Sequence, residues 1–347
     1  MNSTVIDTAP GPEAAEERPP QQPAVWRERL APYARPSLRR SAVSLLTSIV
    51  PYFALEVVIV LALRHVGVWA ALALAPVSAV FLLRTYIVFH DCAHGSFLRS
   101  SAGNLWLGRV VATVVLTPFT QWRWEHAIHH NTAGDLDRRG IGDVPMLTVE
   151  EYRNGPWYLR AGYRLLRNPL IMFGLGPVAA MIIGPRLISP RAPARRRNSV
   201  LITNAVLLVI FATLGWWLGP VAVALAWTPA ALVAGAVGVW LFYVQHNFEG
   251  AYWQRTGGWG YADAALQGSS FLKLPRVLQF ATGSIGYHHV HHLNVRIPNY
   301  NLERAHAENE VFHSVPVLTL RDGIRAVRLK LFDEERGRMV TFAEAGL

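Results

Sequence analysis

Cysteine is almost absent from this chain. Cys92 is the only one in 347 residues, so no intrachain disulfide can form, and thiolate sites such as iron–sulfur clusters and zinc knuckles are excluded. Any metal must be held by imidazole or carboxylate. Charge is scarce as well: charged residues make up 16% and hydrophobic ones 52%. The mean hydropathy of +0.22 lies above what a water-soluble domain of this length usually shows. Acids are outnumbered by bases, 23 against 33, giving a formal net charge of +10. No nucleic-acid motif accompanies that surplus, and membrane proteins retain basic residues on the cytoplasmic side, so nucleic acid is not an expected partner.

Residues 1–24 lack an apolar core and mix Pro, Ala and acids, which argues against a cleaved secretory signal and predicts a disordered cytoplasmic tail. What the chain does contain is four apolar runs, at 41–63, 66–89, 200–218 and 221–244. Each is long enough to cross a hydrocarbon layer of about 30 Å, which takes about 20 residues as helix. Arg64 and His65 separate the first two, Gly219 and Pro220 the last two, so each pair reads as a tight hairpin. Both hairpin tips carry almost no charge, whereas the segments outside them hold Arg35, Arg39 and Arg40, then Arg186, Arg191, Arg195, Arg196 and Arg197, then a mixed-charge tail from Arg321 to Arg338. The positive-inside rule therefore places both termini and the middle loop in the cytoplasm.

The fold class expected is an all-α integral membrane protein with four transmembrane helices in two hairpins and a cytoplasmic helical cap. Residues 1–40 are expected to form a largely disordered tail, 41–320 the membrane domain, and 321–347 a cytoplasmic C-terminal tail. Two weaker stretches, 105–119 and 170–187, are broken by Gly or Pro and read as helices lying at or dipping into the interface. The spans hold few ionisable groups. Glu56 reads either as a buried functional carboxylate or as a packing partner, and Arg84 as a residue that snorkels.

Histidine is abundant, with 13 in the chain, and its placement is informative. His90 and His94 stand four apart directly after the second run, on one face of a helix. His126, His129 and His130 repeat the pattern at i, i+3 and i+4, and His288, His291 and His292 repeat it again. Ordinary hydrogen-bonded histidines would not crowd into three short windows. A structural zinc takes four ligands, whereas eight or more imidazoles without cysteine point to two redox metals with positions open for dioxygen. Each ligating ring needs its second nitrogen held, and Asp91, Asn131, Asp135, Asp137, Glu249 and Asn294 lie beside the boxes. His289 is expected in a supporting or solvent role, and His65, His306 and His313 as non-ligands. Gln121, Trp122, Arg123 and Trp124 are candidates for a tunnel mouth, although interfacial tryptophans have an equally good explanation in an aromatic belt.

The runs HDCAHGSF, HAIHHNTAGDLD and GYHHVHHLN resemble the three histidine boxes of the membrane fatty acid desaturase family. QHNFEGAYW and the segment from SSFLKLPRVLQFATGSIG onward are similar to bacterial acyl-lipid desaturases of the delta-5 and delta-12 kind. The resemblance covers residues 81–303. It implies a di-iron centre on the cytoplasmic side, dioxygen as co-substrate, and a fatty-acyl substrate linked to lipid, coenzyme A or carrier protein. It also implies that His246, just after the fourth run, is a further iron ligand. A bacterial inner membrane is the expected location. The chain lacks both an HPGG haem motif and a cysteine set, so reducing equivalents must come from an external electron carrier such as ferredoxin. Hydroxylase, acetylenase or decarboxylase chemistry on the same centre is the alternative within enzymes. A histidine-rich metal transporter is the alternative from another class, but it would carry its histidines inside the spans.

Overall fold

Each long apolar run forms one helix that is longer than the run itself. The computed structural model describes residues 19–347. After α1 (Pro23–Arg29), α2 (Leu38–His65) and α3 (Val68–His94) form the first hairpin, turning at Val66 and Gly67. Next come α4 (Ser101–Val114), α5 (Phe119–Thr132), strand β1 (Leu147–Thr148), α6 (Val149–Asn154) and α7 (Trp157–Leu166). The second hairpin is α8 (Ala194–Leu218) and α9 (Pro220–His246), turning at Gly219. All four hairpin helices are long and apolar enough to cross a membrane. They leave Leu46, Val57 and Leu61 on α2, and Leu208 and Val209 on α8, exposed, a surface that suits lipid and not water. α3 is the most enclosed of the four and packs against α2, α4 and α9.

The two weaker stretches are not straight crossings. α4 and α5 meet at 103°, broken before Pro118, and α7 meets the irregular helical turns of Ile171–Arg186 at 65°. Both are bent pairs of the kind seen in re-entrant or broken segments. Within the spans, Glu56 accepts from Ser78 Oγ at 2.6 Å and so links α2 to α3.

Beyond α9 follow α10 (Tyr261–Leu266), β2 (Phe271–Lys273), α11 (Arg276–Ala281), α12 (His288–Leu293), α13 (Asn299–Ala307), β3 (Val317–Thr319), α14 (Leu320–Ala326), β4 (Leu331–Asp333) and β5 (Arg338–Val340). Two expectations need correction here. The fold is mostly helical but not purely so: β1 pairs in parallel with β4 (Leu147↔Leu331), β4 antiparallel with β5, and β2 in parallel with β3 (Phe271↔Val317). Residues 321–347, expected as a C-terminal tail, pack into the structure, with Leu331 and Val340 fully buried beside Val149 and Tyr152. Arg84 does not snorkel to water, because α11 covers it: its guanidinium donates to the Phe280 carbonyl and lies 3.7 Å over the Phe280 ring.

The N-terminal tail is also partly folded. Trp26 and Leu30 are buried in one cluster with Val290, Leu293 and Ile297, so residues 19–40 brace the element that carries the third histidine group. The remainder of the expected disordered tail, residues 1–18, lies outside the described residues.

Candidate metal centre

Helix continuity brings the histidines together. α3 runs past its apolar residues to present His90 and His94, then stops where Gly95 adopts a left-handed conformation, φ 67°, and its N–H caps the helix. α5 presents His126, His129 and His130, α9 ends on His246, and the short α12 carries His288, His291 and His292. These nine form two buried groups: His90, His94, His126, His130 and His291 in one, and His129, His246, His288 and His292 in the other. In each group one potential ligand atom from every residue lies within 4.8 Å of all the others. α5 and α12 each divide their histidines, giving the i, i+4 pair to one group and the i+3 residue to the other.

The nitrogens face inward. His130 Nε2 lies 3.0 Å from both His126 Nε2 and His291 Nε2. His288 Nε2 lies 2.9 Å from His246 Nε2 and 3.0 Å from His292 Nε2. A neutral imidazole has a single N–H, so several converging nitrogens cannot all satisfy one another. Nε2 of His94 and of His129 are buried without a hydrogen-bond partner among the described residues, a costly state unless something else binds there. Burial first, and the charge of neighbouring histidines second, hold His126, His130, His288, His291 and His292 well below the ordinary imidazole range. Burial thus favours the neutral form of these five rings, the form that can ligate a metal ion. The donor set fits a pair of cations that accept imidazole nitrogen.

Two rings are held from behind. His129 Nδ1 lies 2.6 Å from Asp143 Oδ1, and His246 Nδ1 donates to the Gly268 carbonyl at 3.2 Å; each bond leaves Nε2 facing the group. Burial pushes the Asp143 carboxyl up, but the His129 contact and the Gly140 N–H outweigh it and hold it below the ordinary range. Trp122 stacks on His126, ring centres 4.3 Å apart.

The supporting residues expected beside the boxes mostly turn elsewhere. Asp91 reaches His90 Nδ1 only at 3.4 Å and accepts from Asn299 N at 2.7 Å. Asn131 is exposed and donates back to the Ala127 carbonyl. Asp135 caps the turn at Asp137 and Arg138 and accepts from Thr256 Oγ1, while Asn294 accepts from Arg296 N. Asp137 pairs with Arg255 and Glu249 with Arg338. The carboxylates and Asn294 are claimed by nearer backbone, hydroxyl or guanidinium donors, and Asn131 by a backbone acceptor. His289 is fully buried, not solvated, with Nε2 3.0 Å from His306 Nδ1. His65 and His313 are exposed and apart from both groups. Asp143 was not expected, and nothing in its spacing from the boxes marks it.

Fold and site together define a mostly helical protein with four helices long and apolar enough to cross a membrane and two buried histidine groups able to hold metal. Comparison with known proteins narrows that class. The fatty acid desaturase family matches residues 67–316. A fatty acid desaturase of Bacillus subtilis is 41% identical over 315 residues, 91% of this chain and 89% of its own. Two proteins of Synechocystis are more distant: the sn-1 oleoyl-lipid 12-desaturase, 27% identical over 65% of this chain and 64% of its own, and the sn-1 acyl-lipid omega-3 desaturase (ferredoxin), 29% identical over 63% and 62%. The chain belongs to the fatty acid desaturase family and is an oxidoreductase.

Proposed function

We propose that this protein is an O2-dependent di-iron desaturase that converts a –CH2–CH2– unit of a membrane-held fatty-acyl chain to –CH=CH–. The observation that carries the reading is the pair of buried histidine groups whose ligand atoms converge. When bound, two iron ions supply dioxygen activation and the one-electron steps that breaking unactivated C–H bonds needs. Two electrons and two protons come from the substrate. Two further electrons come from a separate carrier, for which an acidic ferredoxin suits the basic face, two further protons come from solvent, and O2 leaves as two molecules of water.

The protein's own part is to hold and to exclude. His90, His94, His126, His130 and His291 would hold one ion, and His129, His246, His288 and His292 the other. Asp143 keeps the N–H of His129 on Nδ1, so that Nε2 stays an acceptor. Trp122 on His126, and Phe242 with its ring centre 4.8 Å from that of His129, shut water away from the rings. Arg39, Arg40 and Arg195–Arg197 favour a cytoplasmic location for the site and both termini, and a bacterial inner membrane suits that arrangement.

The test is expression in a host lacking such an enzyme, with acyl chains analysed by gas chromatography and mass spectrometry against an empty vector, and metal measured on purified protein. New double bonds and about two irons per chain are expected. Unchanged or hydroxylated chains, or one zinc and no iron in active preparations, would sink the reading.

A further inference from the structure

Arg167 is completely buried, an unusual place for a guanidinium, and its bonds reach three separate parts of the chain. It is the residue on which α7 ends, at the bend before the irregular turns of Ile171–Arg186. Nη1 donates to the Pro145 carbonyl at 2.8 Å, and Nη2 donates to Tyr243 Oη at 2.9 Å and to the Leu329 carbonyl at 3.2 Å. The guanidinium carbon also lies 4.9 Å from the centre of the Tyr243 ring. The backbone of Arg167 is fixed in turn, since the buried Lys330 donates from Nζ to its carbonyl at 2.6 Å. All three acceptors of the guanidinium are neutral. Burying a charge among neutral groups is costly, and a packed apolar side chain would serve stability at least as well. What a guanidinium adds is direction, because its planar fork holds several acceptors at fixed angles.

Two of the three contacts lie directly behind the second histidine group. Pro145 is two residues after Asp143, whose Oδ1 lies 2.6 Å from His129 Nδ1. Tyr243, itself fully buried, stands one turn before His246 on α9. Arg167 thereby joins the loop that orients His129 to the helix end that presents His246. Other bonds hold the loop without making this connection: Arg139 donates to the carbonyls of Leu136 and Met146, closing the loop on itself, and Leu147 N donates to Tyr163 Oη at 3.2 Å. Packing alone holds the loop loosely. Val144 is packed against the cluster of Tyr243 and Val244, but Val144, Pro145, Met146 and Leu147 also line a cavity of about 360 Å³. None of these bonds involves His90, His94, His126, His130 or His291 of the first group.

We propose that Arg167 is a positioning residue for the second metal site alone, holding the Asp143 loop and the last turn of α9 in fixed relation behind His129 and His246. This rests on the reading of the two histidine groups as metal sites. What it adds is a difference between them: the second depends on a guanidinium that touches no ligand, and the first does not.

Purified, iron-loaded full-length protein in detergent tests this in two arms. In the first, a ferrous chelator is added in increasing amounts and the iron retained per chain is measured. Arg167→Gln should release one iron at a chelator concentration about tenfold or more below that for wild type, and the other iron at the wild-type concentration. Arg167→Lys, which keeps the charge without the fork, should recover part of the loss, and Tyr243→Phe, which removes the acceptor on α9, should shift the same iron in the same sense. On a His246→Ala background, which retains the first iron, adding Arg167→Gln should change chelator resistance by less than about twofold. Ile59→Ala, a core truncation toward the hairpin tips, is the control for stability: its unfolding midpoint should fall while both irons are held as in wild type.

The second arm needs no metal. Hydrogen exchange read by mass spectrometry should be about tenfold faster in segments 140–147 and 242–247 of Arg167→Gln and unchanged there in Ile59→Ala. Loss of both irons together in Arg167→Gln, wild-type retention of both, or faster exchange in only one of the two segments overturns the proposal. If Arg167→Gln does not yield folded protein, Arg167→Lys and Tyr243→Phe decide by the same measurements. If wild type holds no iron, the metal reading fails, and the exchange arm still decides whether Arg167 joins the loop to α9.

Discussion

His246 is a lone histidine in the sequence, yet without it the second metal group would have three imidazoles. Its Nε2 faces His288 Nε2 at 2.9 Å, its ring centre lies 4.7 Å from those of both His129 and His292, and the Gly268 carbonyl sets its orientation. His246→Ala should therefore lower iron from about two per chain toward one and desaturation by about 100-fold, measured together on purified protein with His313→Ala as control. Full iron and full activity in the variant would remove His246 from the ligand set. Asp143→Asn makes a subtler change, since the amide keeps the shape but not the charge that strengthens the bond to His129. Metal affinity and activity are expected to fall about 10- to 100-fold, and wild-type values in a metal-competition titration would show that Asp143 is incidental. The boxes were legible because helical spacing alone puts i, i+3 and i+4 on one face. Their division between two groups was not, because it depends on how α3, α5, α9 and α12 meet. Asp143 was illegible for a related reason: it comes from a loop that approaches α5 only because Gly142, at φ 78°, has no Cβ, which would stand 2.9 Å from the Glu125 carbonyl. Asn131 is adjacent to His130 in sequence, but the next residue on a helix points about 100° away, which is why it misses the rings.

At the scale of elements, hydropathy placed the four long helices and their turns, because a spanning helix must satisfy its backbone internally and can be apolar on most faces. It could not place their ends. α3 and α9 continue through polar residues to His94 and His246, and that extension carries the ligands inside the helices themselves. Nor could it foresee α1, whose short segment between proline-rich residues has no apolar period of its own. Trp26 makes α1 dock: it is 2% exposed, packs in the cluster that includes Val290 and Leu293 of α12, and donates Nε1 to the Pro20 carbonyl at 2.6 Å. Trp26→Ala should cost about 3–5 kcal/mol and lower the unfolding midpoint in detergent by about 5 °C or more. An unchanged midpoint together with unchanged resistance to proteolysis near residue 26 would mean that α1 lies against α12 without supporting it.

The whole molecule poses a question of sidedness that no single element answers. All nine histidines meet where α3 and α9 end, and both hairpin tips lie at the other end of those helices, so a membrane crossed by both hairpins would be crossed in the same sense. If α4–α5 and the segment 157–186 dipped in and returned, or if both crossed, the second hairpin would keep its orientation; only one crossing without the other would invert it. The bends of 103° and 65° favour returning segments, because a straight crossing needs about 20 residues of continuous helix. Single-cysteine labelling decides this, and the chain is suited to it because its one cysteine, Cys92, is buried and replaceable by Ser. Cysteines at exposed Asn131 and Glu335 should react with an impermeant maleimide only after the cytoplasmic face is opened, whereas those at His65 and Val221, at the two tips, should react from outside in intact cells. Reaction of Asn131 and Glu335 from opposite sides would separate α5 from the C-terminal segment by the membrane and break the single-sided metal centre. Reaction of His65 and Val221 from opposite sides would invert one hairpin, and with it the convergence of His94 and His246 at one depth.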